Sequence, residues 1–137
     1  MIGEDAYVEV EFKIGTKKSK LKALVDTGSY ENIISRELAK KLSEIGCLRC
    51  FVLPEKYWMS LKVGKKGESI RLIGVCASDY MKIEGIEKAP HIFWISPDVP
   101  EDTLVIGHPG IDKWMIEVRN GKVEVKPGKM HPHYGFF

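Results

Sequence analysis

Hydrophobic and polar residues alternate near the start of the chain. Val8, Val10, Phe12 and Ile14 are separated by charged residues, which is the period-two pattern of a half-buried β-strand. A glycine-containing turn follows, and residues 21–25 form a second apolar run. Together the two runs predict an antiparallel hairpin.

One segment has helical rather than strand periodicity. Ser35 is a favourable N-cap residue, and Leu38, Leu42 and Ile45 follow at spacings that place them on one face of a helix. Gly46 is a typical residue at which a helix ends. The sequence therefore predicts one clear helix after a short apolar run.

The rest of the chain consists of short strand-like runs separated by turn residues. Residues 59–73 are expected to form a hairpin with its tip at residues 64–67. Further elements are predicted as strands at 75–83, 91–95 and 104–106, a short helix from Pro109 to Trp114, and a hairpin around Asn120-Gly121. This pattern predicts an all-β fold, closed and barrel-like, with one or two short helices. We expect a single domain over residues 1–137, with a core at about 6–126 and a C-terminal tail at 127–137.

Composition narrows the class of protein. The chain has 137 residues, 44% of them hydrophobic, and a formal net charge of +2. These values are ordinary for a globular domain and give no reason to expect nucleic-acid binding. Because no apolar segment is long enough for a signal peptide or a membrane span, we expect a cytoplasmic protein that does not bind membranes. The absence of Gln and the presence of only two Asn favour a thermophilic source.

The three cysteines leave several interpretations open. Cys47 and Cys50 form one C-x-x-C motif, and Cys76 is remote in sequence. Two ordinary thiols at the end of the helix, a disulfide and a metal site are all compatible with this spacing. We expect no metal and no cofactor, because no second ligand pair accompanies the motif. The pair His131 and His133 near the C-terminus likewise lacks neighbouring Cys, Asp or Glu ligands.

The segment Asp26-Thr27-Gly28-Ser29 is the clearest indication of chemistry. It follows the apolar run 21–25, so its carboxylate lies on a tight turn behind a buried strand. Glycine lets another group approach the backbone closely, and neighbouring hydroxyl and amide groups can fix the carboxylate in one orientation. The alternative is an aspartate in an ordinary β-turn, where Asp and Gly are common. A second apolar run, Leu104-Val105-Ile106-Gly107, favours the catalytic interpretation.

This pair of motifs resembles that of the retropepsin-like aspartic proteases, the single-domain relatives of pepsin. The resemblance extends over about residues 6–125, and the helix after the first motif is similar to that of cellular members. It implies an acid protease fold in which Asp26 is the catalytic aspartate, Thr27 reaches across a dimer axis and Gly28 lines the substrate backbone. The hairpin at 59–73 would be a mobile flap over the cleft.

The resemblance also implies a substrate site and a dimer. Substrate-binding residues would be Ser29 after the catalytic turn, Leu61, Val63, Gly64 and Gly67 in the flap, and Ile106 and Gly107 in the second motif. The chemistry needs two carboxylates that share a proton, one as base for water and one as acid for the carbonyl oxygen. Because the chain contains one D-T-G, we expect a C2 homodimer with one Asp26 from each chain. It would be an aspartic endopeptidase that hydrolyses peptides or unfolded proteins.

Two positions depart from the viral pattern. Viral members often have an acidic residue after the first motif and an arginine after the second-motif glycine, and here these are Tyr30 and His108. The ion pair is lost, so dimer support must come from elsewhere. Two alternatives stay open: a retropepsin-like domain that binds peptides or partners without cleaving them, and a redox or metal module that uses Cys47 and Cys50.

Overall fold

The computed structural model describes residues 6–64 and 66–128, which are organised around one large sheet. The strands are β1 (Ala6–Ile14), β2 (Lys17–Val25), β3 (Ile33–Ser35), β4 (Arg49–Val52), β5 (Met59–Val63), β6 (Glu68–Leu72), β7 (Gly74–Ala77), β8 (Tyr80–Ile83), β9 (Ile86–Lys88), β10 (Phe93–Ser96), β11 (Leu104–Ile106), β12 (Ile116–Arg119) and β13 (Lys122–Val125). The helices are α1 (Arg36–Glu44), α2 (His108–Lys113) and a 3-10 turn at Glu55–Tyr57. The predicted features at Lys65, His131 and His133 lie outside the described residues.

The nine-stranded sheet is open, so the prediction of a closed, barrel-like fold is wrong. Its strand order is β4-β7-β10-β3-β11-β2-β1-β8-β9, while β5–β6 and β12–β13 form separate hairpins. Closure would require the edge strands β4 and β9 to pair with each other. Both are short, and Pro54 and Pro90 follow them within two residues. Because proline cannot donate to a strand ladder, each edge strand ends close to its proline.

Strands β2 and β11 bring the two sequence motifs together. β1 pairs with β2 along its whole length, from Ala6 opposite Val25. On its other edge β2 lies parallel to β11, which in turn pairs with β3. The first motif therefore follows a strand that is hydrogen-bonded on both edges, and the second motif follows the neighbouring strand.

The sheet carries a different apolar cluster on each face. The main core includes the largest fully buried side chains, among them Trp114, Phe12 and Phe93. The smaller cluster, here called the hairpin cluster, contains Ile33, Ile70 and Leu72 with Leu61, Val63, Trp94, Val99 and Val105 packed against them. The β5–β6 hairpin is therefore attached to the sheet along one of its sides.

Helix α1 begins and ends as predicted, but its buried face differs. The Ser35 side chain caps it by accepting the Leu38 N–H at 3.0 Å, and Gly46 ends it in the left-handed conformation at φ +84°. Leu42 is buried, whereas Ile45 is the C-cap residue and is 47% exposed. Its predicted place in the apolar stripe is wrong. No helix in the two described ranges is long and apolar enough to cross a membrane.

The predicted strand at 75–83 is two strands in different parts of the sheet. β7 pairs with β4 and β10, whereas β8 pairs with β1 and β9. At the break, the Ser78 hydroxyl donates to Tyr80 O at 2.9 Å, and Asp79 forms an ion pair with Arg49. Side-chain bonds of this kind offer the backbone an alternative to the strand ladder.

A disulfide joins Cys50 to Cys76, which face each other where β4 pairs with β7. Cys47 is a free and buried thiol, and burial raises its pKa. The C-x-x-C spacing therefore marks neither a metal site nor a disulfide between its own two cysteines. The crosslink spans a sequence separation of 26 that includes the whole β5–β6 hairpin. It ties the edge strand that leads into the hairpin to the interior of the sheet.

Removing this crosslink should lower the free energy of unfolding. On the loop-entropy model, a disulfide that closes a loop of this length contributes about 3 kcal/mol. Urea denaturation of the double variant Cys50→Ala/Cys76→Ala should show this loss, with Cys47→Ala as the control that keeps the crosslink. Alkylation of the denatured parent should modify Cys47 alone without reductant and all three cysteines after reduction. Modification of all three without reductant would contradict the disulfide.

Candidate active site

Asp26 lies at the start of a turn that follows β2, here called the motif turn (residues 26–31). Its Oδ1 accepts the Gly28 N–H at 2.8 Å, and the Ser29 N–H donates to the Asp26 carbonyl oxygen at 3.1 Å. Asp26 is half-buried, while Thr27 and Gly28 are exposed. The turn therefore holds the carboxylate by a main-chain donor and keeps it accessible to a second molecule.

Ser29 bonds within the motif turn rather than to the carboxylate. Its hydroxyl donates to Glu31 O at 2.7 Å. Its own carbonyl oxygen accepts the His108 N–H at 2.9 Å. The side chain that was predicted to bind substrate thus already has a partner in its own loop, and Ser29 connects this loop to the start of α2.

Asn32 joins the motif turn to residues 107–110, here called the glycine loop, which comprise the N-cap residue and the first three residues of α2. It is 1% exposed. Its Oδ1 accepts the N–H groups of Gly107 at 3.0 Å and Gly110 at 3.2 Å, and its Nδ2 donates to Ile92 O at 3.2 Å. The only sequence signal for this residue is a carboxamide directly before the apolar pair that forms β3.

Gly107 lies where the motif turn and the glycine loop cross. A Cβ atom at this position would be 2.4 Å from Glu31 O and 2.7 Å from Ser29 O. At Gly28 the same atom would be 3.3 Å from Asp26 Oδ1. Both glycines thus permit close approach of another group, and the approach is much closer at Gly107.

The apolar run before Gly107 has two different sides. The Ile106 side chain is fully buried in the main core, and its carbonyl oxygen accepts the Asp26 N–H at 2.9 Å. Val105 packs instead in the hairpin cluster. The predicted substrate contact at Ile106 therefore falls on a core side chain, and Val105 is the member of this run that faces the hairpin.

The β5–β6 hairpin packs on the sheet face that carries the hairpin cluster. Leu61 and Val63 are half-buried against the hairpin cluster, to which Val105 belongs. Val105 pairs with Leu24, two residues before Asp26. Leu61 and Val63 therefore pack on the sheet face to which Val105 contributes, and the strand next to Val105 ends at the carboxylate.

The hairpin is anchored at its base and exposed at its tip. Gly64 and Gly67 are exposed and have φ values of +71° and +76°, a conformation that glycine adopts readily. At the base, Arg71 Nη2 lies 2.7 Å from Asp98 Oδ1, and Arg71 Nε lies 3.0 Å from Asp98 Oδ2. Hydrogen bonding from this guanidinium lowers the pKa of Asp98 to about 2. The ion pair therefore persists in mildly acidic solution.

Tyr30 and His108, the two positions at which the sequence departs from the viral pattern, lie together. Their rings stack with centroids 5.9 Å apart and an interplanar angle of 24°. Tyr30 is 70% exposed. An exposed aromatic contact therefore joins the motif turn to the first residue of α2.

The described residues do not support a metal or redox module. In residues 6–64 and 66–128, no group of three His, Cys, Asp or Glu side chains is arranged to hold a metal ion. Cys50 is bonded to Cys76, and Cys47 is buried. The C-x-x-C motif therefore does not bring its two thiols together as a reactive pair.

Comparison with solved structures shows what kind of fold surrounds this site. The crystal structure of the retroviral protease-like domain of Ddi1 from Leishmania major matches with a TM-score of 0.57 and 18% sequence identity, over 86% of this chain and 83% of that chain. The chain has a retropepsin-like fold. No protein-family model and no curated protein matches the sequence. At this level of identity the likeness concerns the fold, and the chemistry has to be argued from the residues.

Gly107→Ala should disturb the crossing of the two loops. The added methyl group would overlap two main-chain oxygens, so we expect a loss of about 1–3 kcal/mol in the free energy of unfolding. Gly128→Ala is the matched control, because nothing lies within 4 Å of the Cβ position at Gly128. Urea denaturation measures both. Equal stability of the two variants would show that the loops do not cross this closely.

Proposed function

We propose that this protein is an aspartic endopeptidase of the retropepsin type. The observation that carries the proposal is the Asp26 carboxylate, which is held by the Gly28 N–H on an accessible turn within a retropepsin-like fold. General acid–base catalysis requires a group that is both accessible and fixed in orientation. The pairing of β2 with β11 supports this role, because it fixes the main chain from which the carboxylate projects.

The second carboxylate would come from another copy of the chain. In a C2 homodimer the two Asp26 side chains would face each other, and close carboxylates share one proton rather than both ionising. Thr27 is exposed on the turn and would contact its counterpart across the axis. The ring of Tyr30, which is in the same turn, stacks on that of His108. These two rings would supply apolar contact where viral enzymes have an ion pair.

In this dimer the ionised Asp26 would take a proton from a water molecule as its oxygen attacks the carbonyl carbon of the substrate. The protonated Asp26 would give its proton to the carbonyl oxygen, which leaves a neutral tetrahedral intermediate. On collapse, one hydroxyl of the intermediate returns its proton to a carboxylate, the other carboxyl protonates the amide nitrogen, and the carbon–nitrogen bond breaks. Each carboxyl ends in a form that can start the next cycle.

The substrate would lie between the motif turn and the β5–β6 hairpin. Leu61, Val63 and Val105 offer apolar surface on that side of the sheet, and the exposed Gly28 lets a peptide backbone approach the carboxylate. A space bounded by a turn and a hairpin suits an extended chain. We therefore propose peptides and unfolded protein segments as substrates.

Peptide or partner binding without cleavage is a second candidate function. It is favoured by the stacked Tyr30 and His108, which replace two charges that would hold the dimer together. A dimer too weak to form at working concentration would leave each Asp26 without its partner. The chain would then bind extended segments but not hydrolyse them.

Asp26→Asn should abolish cleavage of peptides and unfolded protein while the fold survives. The amide keeps the size of the carboxylate and an oxygen that can accept the Gly28 N–H, but it cannot exchange a proton in catalysis. A statine-type mimic of the tetrahedral intermediate should inhibit the parent. Asp112→Asn, at an exposed position of α2, is the control that should keep its activity.

Two outcomes would count against the proposal in different ways. Cleavage that persists in purified Asp26→Asn, or that is stopped by a chelator but not by the statine-type inhibitor, would contradict an aspartic mechanism. A well-formed parent dimer that cleaves nothing at any pH would favour the binding function instead.

A further inference from the structure

We infer that Asn32 is a positioning residue for catalysis, which acts on Asp26 through the glycine loop; the inference rests on the function proposed above. Asn32 does not bond to the carboxylate itself. Its side chain holds Gly107 and Gly110, and these belong to the loop that contacts the motif turn.

The bonding capacity of a carboxamide matches this place in the structure. The Asn32 side chain accepts two N–H groups and donates one, and its main-chain oxygen accepts the Trp94 N–H at 2.8 Å. An ionised carboxylate could accept both N–H groups but could not donate to Ile92 O. An alanine would leave the buried Gly107 N–H without its side-chain acceptor, which costs about 1–3 kcal/mol. It would also remove one of the two acceptors of the Gly110 N–H, which donates to Gly107 O at 3.1 Å as well, and the donor to the half-buried Ile92 O.

The glycine loop contacts the motif turn at both of its ends. At the start of the motif turn, the Asp26 N–H donates to the oxygen of Ile106, the residue directly before the glycine loop, and at its end Gly107 packs against Glu31 O. Between these points the His108 N–H donates to Ser29 O. A shift of the glycine loop would therefore move the main chain that carries the carboxylate.

Asn32 also caps the first turn of α2, which has no side-chain cap from its own N-cap residue. The N-cap residue of α2 is Gly107, which has no side chain to bond the free N–H groups of the first turn. Asn32 Oδ1 reaches the Gly110 N–H from another segment of the chain. A Cβ at Gly110 would lie 2.4 Å from Trp114 Cζ3, so this helix is also seated closely on the core.

A purely structural role for Asn32 makes a different prediction from a positioning role. If Asn32 only stabilised the fold, its loss would reduce the fraction of folded enzyme and would leave kcat per folded dimer unchanged. If it positions Asp26, kcat should fall in fully folded protein, with little change in KM, because misplacement of a catalytic group by about 1 Å can cost up to about 100-fold in rate.

Ser35, the last residue of the strand β3 that Asn32 precedes, provides the matched control. Its side chain is fully buried, donates to Glu101 O at 2.6 Å and accepts the Leu38 N–H at 3.0 Å. Ser35→Ala therefore also removes a buried, hydrogen-bonded polar group. Its partners are the first turn of α1 and the loop before β11, which do not contact the motif turn through this side chain.

The experiment compares Asn32→Ala with Ser35→Ala at a temperature where circular dichroism shows both fully folded. We expect kcat of Asn32→Ala to fall about 10- to 100-fold with KM within about twofold of the parent, and kcat of Ser35→Ala to stay within about twofold. Parent-like kcat in folded Asn32→Ala, or equal losses in both variants, would overturn the positioning role.

Asn32→Asp separates position from stability. It keeps oxygens for Gly107 and Gly110 but buries a charge and loses the donor to Ile92 O. We expect it to be less stable than the parent yet to retain more kcat than Asn32→Ala, and it carries the kinetic test if Asn32→Ala does not fold. A kcat that simply follows stability across the variants would overturn the inference.

A second readout is independent of peptidase activity. Amide hydrogen exchange in residues 26–31 should accelerate in Asn32→Ala, and to a smaller extent in Asn32→Asp, but not in Ser35→Ala. If the parent cleaves nothing, the proposed function fails while this comparison still decides whether Asn32 holds the motif turn. Unchanged exchange in both Asn32 variants would contradict it.

Discussion

The motif turn and the glycine loop cross beside Asp26, and each fixes the position of the other. The parallel pairing of β2 with β11 ends where the Asp26 N–H meets Ile106 O, and the chain then crosses itself so closely that Gly107 has no room for a side chain. Asn32 fills the hydrogen-bonding needs that this crossing creates. Both loops leave adjacent, paired strands, which fix the main chain of Asp26. The carboxylate itself is half-buried and stays accessible to a second molecule.

The two faces of the sheet have different structural roles. The main core immobilises the strands and seats both helices, while the hairpin cluster attaches β5–β6 to the opposite face. The Cys50–Cys76 disulfide and the Arg71–Asp98 ion pair hold the base of this hairpin, and its glycine tip stays exposed. In the proposed function, the exposed tip is the part of the hairpin that would move to admit an extended chain, because the base is fixed.

Local patterns predicted the elements that local physics determines. Residues close together in sequence determine the alternation in β1, the Ser35 cap and the two motifs. The structure contains β1, the cap at α1 and the two loops that the motifs form. The open sheet depends on strand order, which no local pattern encodes. The short strands β4 and β9 were missed because they lie at the edges, and the exposed residues of β4 show no alternation. A wholly apolar run does not show on which face of the sheet the Ile106 side chain lies. The role of Asn32 could not be predicted either, because its side-chain partners lie 60–78 positions away in sequence.

In the proposed enzyme, one chain supplies half of a catalytic site. It follows from a single D-T-G turn that presents one accessible carboxylate in a retropepsin-like fold. Native mass spectrometry of the protein with a tight-binding statine-type inhibitor tests it most directly, because it counts chains and inhibitor molecules in the same complex. We predict two chains and one inhibitor molecule per complex. A complex of one chain with one inhibitor molecule would contradict the claim.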